Sequence, residues 1–289
     1  MRKIVIWGTG KNYEKLINNV QFEIFKGNIS VEALVARAGD ITGQTLDGFK
    51  IITKENVTDI KFDYLVIASP LYYKEIWKEA VALGIEKEKI LNGEIFHIPL
   101  FDFARYVKLI ENPVTILSDN CWGGIVYNRL HMKFYSPLIN IYWDTENYVR
   151  FIQNPEYYLG QPLVMEREGS LRNNIYPIGS LGGGKNRKVI LNFIHSPSFD
   201  SAKSLWDRRR KRINDKNLFV KFGFEAAEEK KEDYLKIFES VPYKKICFYS
   251  GETPSKSVVY LKRFEKFFQQ KDYIPTVSYN EFLLYSKDS

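Results

Sequence analysis

The sequence predicts an α/β protein: a parallel, helix-covered sheet at the amino-terminal end and a second, larger α/β domain after it. Three observations carry this. Short apolar runs of strand length, such as "KIVIW" and "YLVIA", alternate with longer segments whose apolar residues recur at helical spacing. The alternation restarts with fresh elements after "ENP", where Pro113 cannot continue a helix and Asn112 is biased away from helical angles. At 289 residues the chain also exceeds one typical domain. The boundary is therefore set to give domains 1–112 and 113–289.

In the first domain the pattern gives a strand at Lys3–Trp7, a helix at Lys11–Val20, a strand at Val31–Ala36 and a short extended piece at Phe49–Ile52. A buried-looking strand at Tyr64–Ala68, a helix at Tyr72–Leu83, a strand at Lys89–Leu91 and a helix at Asp102–Ile110 complete it. In the second domain, strands are expected at Val114–Leu117, Leu138–Trp143, Leu163–Glu166, Lys188–His195, Leu218–Phe222 and Lys245–Tyr249. The helices there are Gly124–Leu130, Thr145–Leu159, Phe199–Ile213, Ala226–Ser240 and Val258–Gln269; in the second of these, Tyr148, Phe151, Ile152 and Tyr158 recur at helical spacing.

Composition narrows the class. Hydrophobic residues at 45% and charged residues at 27% are those of an ordinary globular chain. The two cysteines, Cys121 and Cys247, form neither a disulfide framework nor a zinc spacing, which fits a reducing compartment. "KIVIWG" is too short for a signal sequence, and no apolar run approaches the ~20 residues of a membrane span, so the expected location is the cytoplasm. A net charge of +7 from 42 basic and 35 acidic residues, interspersed, favours a small anionic ligand over a nucleic-acid track.

"VIWGTGKNYEKL" lies between a strand and a helix, with Gly8, Thr9 and Gly10 where a G-x-G-x-x-G fingerprint begins and Tyr13 at its third glycine position. The half that lets a phosphate approach a helix start is kept; the close-packing glycine is not. The next strand ends in Ala36 and Arg37, with Asp40 several residues late. Arg37 suits a phosphate better than a ribose hydroxyl pair, so Gly8, Thr9, Gly10 and Arg37 are the candidate cofactor-binding residues. The other reading is a turn used only for packing. "ITGQTLDGFKII", through Gly43, Leu46, Gly48 and Ile51, resembles the amino-terminal nucleotide-sugar-binding domains of bacterial sugar acyltransferases and related polysaccharide enzymes. That resemblance implies a Rossmann-like domain holding a nucleotide or nucleotide-sugar and carries no implication of hydride transfer, for which Gly8 and Gly10 alone would speak. "GSLGGGKN" nearly spells a P-loop, but Asn186 replaces the magnesium-binding Ser or Thr and a strand follows, so it is read as a hairpin connection.

"SDNCWGG" places Asp119 and Asn120 beyond a strand's carboxyl end, with Trp122 as a flat apolar wall and Gly123 and Gly124 at a helix start. These five are candidate substrate contacts. The alternative is an N-cap, a core tryptophan and two packing glycines. Cys121 lacks a neighbouring base and is read as structural. In "SAKSLWDRRRKRIND", Arg209 and Arg212 can grip a phosphate or carboxylate and Asn214 ends the helix, although an exposed basic helix explains the run equally well. His195 and Asp144, each at a strand end, are the candidate acid and base, and Asn147, a turn on, is a helix-start residue or a ligand contact. No spacing suggests a metal.

Together with "SPLINIYWDTENYVRFIQNPEYYL", "YPIGSL" and "VILNFIH", these stretches resemble the DUF1919 family, often labelled as exopolysaccharide biosynthesis proteins, over about Val114 to Tyr249. Gly182–Gly184 depart from the family, which tends to have a shorter acidic turn there. The resemblance implies a place in a surface-glycan pathway. The expected function is thus a cytosolic transferase that uses a nucleotide-linked donor, with a nucleotide-sugar or another phosphorylated small molecule as its partner. The alternative is a non-catalytic nucleotide-sugar sensor or scaffold.

Overall fold

The computed structural model describes residues 1–36, 43–171, 174–184, 187–224, 229–251 and 255–260, excepting the side chains of 259 and 260. The chain divides into two compact units, Met1–Lys108 and Leu109–Ser289. It is mixed α/β, and its largest sheet has six strands, mostly parallel.

The first unit contains β1 (Arg2–Trp7), α1 (Lys11–Phe25), β2 (Ile29–Val35), β3 (Thr45–Leu46), β4 (Phe49–Ile52), β5 (Tyr64–Ile67), α2 (Tyr73–Ala82) and β6 (Ile90–Asn92). A further helix, α3 (Phe103–Glu111), follows. The sheet order is β3-β4-β2-β1-β5-β6, parallel throughout except for the β3–β4 hairpin. Asp47 and Gly48 turn that hairpin with φ of 51° and 83°, the left-handed pair that a tight hairpin needs. Ile4, Val5 and Ile6 are all fully buried, which is why β1 reads as a continuous apolar run and not as an alternation. From β1 the chain builds outward through β2 and β4, then returns to add β5 and β6 on the other side. The point of reversal lies between β1 and β5.

The second unit holds β7 (Thr115–Ser118), α4 (Trp122–Arg129), α5 (Thr145–Ile152), α6 (Pro155–Gly160), β8 (Val164–Leu171), β9 (Asn174–Leu181) and β10 (Val189–Asn192). Then come α7 (Phe199–Arg210), β11 (Leu218–Phe224), α8 (Lys231–Ser240), β12 (Lys244–Tyr249) and β13 (Val258–Tyr260). A parallel sheet runs β13-β12-β11-β7, and a separate antiparallel sheet runs β10-β9-β8. One aromatic core joins them to the helices, with Tyr148, Phe151, Trp206, Phe222 and Phe238 all buried.

Several expected elements differ. Leu138–Trp143 is not a strand: only Tyr142 bridges to Asn192, and Asn140 has a φ of 63°, incompatible with extended backbone. Its apolar residues are buried as a loop. The expected helix Thr145–Leu159 is two helices, because Pro155 has no N–H to continue the first; Asn154 accepts the Tyr157 N–H and caps the second. Strand β9 was not expected because it contains Pro177 and Gly179. A side chain at position 179 would come within 2.9 Å of Leu163 Cδ1, so the strand needs its glycine. The strand expected to end at His195 stops at Asn192, and the helix expected to reach Ile213 stops at Arg210. Val258–Tyr260, expected to open a helix, pairs with β12 as a strand; 261–269 lie outside the described residues, as do 225–228 ahead of α8.

Candidate functional site

In the first unit, the carboxyl ends of β1, β2 and β5 surround a cavity of about 530 Å³. It sits where the strand order reverses, the position at which open parallel sheets bind ligands, and its volume is that of a small-molecule site. Gly8, Thr9 and Gly10 all line it, together with Lys11 and Asn12. Gly8 has a φ of +130°, and a Cβ there would lie 3.2 Å from Ala68 Cβ, so only glycine passes this turn without strain. Gly10 caps α1 with no side chain; its carbonyl takes the Tyr13 N–H at 2.7 Å, and the N–H groups of Lys11 and Asn12 have no partner within the helix. That leaves a helix start open to an anion. Tyr13 is buried and donates its hydroxyl to Asp47 at 2.9 Å; burial and then Asp47 push its phenol far above the usual value, so it stays neutral.

The far wall comes from α2 and Tyr72 just before it: Tyr72, Glu75, Ile76 and Glu79 line the cavity at the spacing of one helical stripe. Lys54 Nζ pairs with Glu79 at 3.1 Å, and Asn12 Nδ2 donates to Ser69 Oγ at 3.3 Å. Anion-attracting groups therefore stand at one end and carboxylates at the other. Ala36 also lines the cavity; Arg37 and Asp40 lie outside the described residues. The i, i+3, i+4, i+7 series in α2 was the available signal for this wall, but nothing local marks such a stripe as facing a cavity.

In the second unit the Ser118–Trp122 turn is built around a buried ion pair. Lys221, wholly buried in β11, sets its Nζ 2.7 Å from Asp119 Oδ1. Burial raises the Asp119 carboxyl and lowers the Lys221 ammonium, and each partner's charge opposes the shift of the other. Trp143 donates its N–H to the Asp119 carbonyl at 3.1 Å, and Lys221 Nζ lies 5.6 Å from the centre of the Phe248 ring. The Tyr148 hydroxyl, also buried, faces the carbonyls of Leu117 and Lys221 at 2.7 and 2.8 Å. Lys221 was missed because its partner lies 102 residues away; the sole sequence signal was a lysine inside the apolar strand "LFVKFGF".

The remaining candidates occupy several places in the second unit. Asn120 Oδ1 accepts the Trp122 N–H at 3.0 Å, and Trp122 is 3% exposed, packed on Phe248 instead of forming an open wall. Gly123 and Gly124 let α4 sit close: a Cβ would fall 3.1 Å from Ile116 Cγ2 and 3.2 Å from Ile139 Cγ2, respectively. Asp144 caps α5, taking the Asn147 N–H at 2.9 Å and its Nδ2 at 2.6 Å, while Asn147 Oδ1 accepts the Ile190 N–H. His195 lies exposed in the turn after β10. Asn214 hydrogen-bonds to Asn112, Pro113 and Thr115, at the amino end of β7. Five residues at about 3.3 Å each put that end roughly 16 Å from Asn120. Asn120 and Asn214 thus lie toward opposite ends of one strand. Arg212 donates to the Phe134 carbonyl at 3.4 Å, and Arg209 is buried beside the same residue.

Among the described residues, no three His, Cys, Asp or Glu side chains gather as metal ligands do, and no helix is long and apolar enough to cross a membrane. A family model described as a domain of unknown function (DUF1919) matches residues 92–285, and one described as C2185-like, N-terminal, matches residues 1–91. An uncharacterized protein of Haemophilus influenzae is 32% identical over 162 residues, which are 55% of this chain and 73% of that protein.

Proposed function

With membership of the DUF1919 family as premise, since the chain belongs to it, we propose that this protein binds a nucleotide-linked sugar in the first unit and serves surface-glycan biosynthesis in the cytoplasm. The cavity at the strand-order reversal, lined by Gly8, Thr9 and Gly10 at the open start of α1, carries this reading. In it the first unit is a Rossmann-like domain. The diphosphate lies over Gly8–Asn12, where the first N–H groups of α1 and the helix dipole favour negative charge. Tyr72 and Ile76 supply apolar contact, and Glu75 accepts hydrogen bonds from hydroxyls of the sugar.

Binding is favoured over turnover by the surroundings of the expected acid and base. Asp144 is engaged in a helix cap, and His195 stands on an exposed turn. The sensor or scaffold reading therefore comes first. A transferase is the second reading, favoured by the buried Asp119–Lys221 pair at the carboxyl end of the second unit's parallel sheet, since perturbed ionisable groups gather at reactive sites.

Calorimetric titration with UDP-, CMP- and GDP-sugars is the test. At least one should bind below the millimolar range; uniform failure would remove the reading. Chromatography of the bound ligand after long incubation with sugar acceptors then separates the two forms, with an intact ligand expected of a sensor and a consumed donor of a transferase.

A further inference from the structure

Four charged side chains are buried among the described residues: Glu23, Asp119, Arg209 and Lys221. Three are matched. Glu23 accepts from Lys26 Nζ, Asn28 Nδ2 and the Phe103 N–H, and Asp119 and Lys221 pair with each other. Arg209 is the exception. It is 8% exposed, one Nη donates to the Ile139 carbonyl at a long 3.3 Å, and its Nε–H is buried with no partner. The charges acting on it are those of Arg208 and Arg212, which repel it. A guanidinium offers five N–H donors and does not shed its proton in proteins, so it cannot escape burial by neutralising. The Phe134 ring, 5.1 Å away, and the carboxyl end of α7 offset only part of the cost. Arg212 reaches the same place, with its Nη1 on the Phe134 carbonyl. Two arginine heads thus converge on one residue with no carboxylate between them among the described residues.

We propose that Arg209, with Arg212, forms an oxyanion site in the second unit that takes the phosphate group of a small phosphorylated ligand. A phosphate presents several acceptor oxygens to two guanidinium forks at once, and it supplies the charge that α7 and the loop from Phe134 to Ile139 lack. The site stands independently of the cavity in the first unit.

The full chain is titrated with inorganic phosphate and with glucose 1-phosphate at constant ionic strength, using glucuronate as a carboxylate control. Phosphate should bind the wild type, with glucuronate at least about tenfold weaker, and Arg209→Lys should weaken phosphate by about tenfold or more because it keeps the charge and loses the fork. Lys203→Gln, on the same helix but ion-paired with Asp207, should bind as the wild type does. Gly10→Glu, which has room for a side chain and places a carboxylate at the first unit's cavity, isolates the second unit's site, and Arg209→Lys should weaken the phosphate binding that remains in it. Binding lost with Gly10→Glu but retained with Arg209→Lys overturns the site, as does equal affinity for phosphate and glucuronate or no phosphate binding at all. Should Arg209→Lys fail to fold, wild-type crystals grown with selenate decide the matter. An anomalous peak at hydrogen-bond distance from the Arg209 guanidinium supports the site, and its absence there refutes it.

Discussion

Replacing Lys221 by Met removes the cation and keeps nearly the same side-chain length in the wholly buried position. Asp119 then remains inside, with its carboxyl already raised by burial and no longer opposed by the ammonium 2.7 Å away. Breaking a buried pair from one side costs about 3–5 kcal/mol. For a unit of this size, each kcal/mol moves the melting point by roughly 2–4 °C, so a fall of roughly 6–20 °C is expected. The sign with pH follows from linkage. Asp119 in the folded variant binds its proton more tightly than in the unfolded chain, so the variant loses stability as pH rises from the unfolded carboxylate value through the raised folded one. Its deficit against the wild type is therefore largest at neutral pH and shrinks on acidification. Urea unfolding followed by tryptophan fluorescence reads this, since Trp122, Trp143 and Trp206 all lie in the second unit. The double variant Lys221→Met/Asp119→Leu should recover at least half of the loss, because it removes both charges. A single variant within about 1 kcal/mol of wild type, or a double variant no better than the single, refutes the claim that the pair is matched and buried.

Three further outcomes follow from the same geometry. Gly8→Ala should destabilise the first unit by about 1–3 kcal/mol and weaken nucleotide-sugar binding, since a side chain at φ +130° meets Ala68; unfolding and calorimetry measure the two effects. Asp144→Ala should cost about 0.5–2 kcal/mol and Asp144→Ser much less, because serine also caps the Asn147 N–H; thermal unfolding of the pair checks this. Tyr148→Phe should cost about 1–3 kcal/mol by denaturant unfolding and leave nucleotide-sugar affinity unchanged, because the hydroxyl serves only backbone carbonyls in the second unit.

The sequence by itself determined the α/β alternation, most strands and helices of the first hundred residues, and the strand–turn–helix at Gly8–Asn12. These features depend on periodicity and turn chemistry within about a dozen neighbouring residues, which the chain displays directly. It misled where apolar content came from burial alone, as in the loop from Leu138 to Trp143, and where Pro155 split a periodic run. Tertiary structure alone decided which polar residues meet. Lys221 found Asp119 across 102 residues, and α2 turned Glu75 and Glu79 toward the cavity. Asn214 went to the far end of β7 from Asn120, and Arg209 was buried with its Nε–H unpartnered among the described residues. Such pairings depend on strand order and helix placement, and these are set by the packing of the whole unit, which no local stretch of residues encodes.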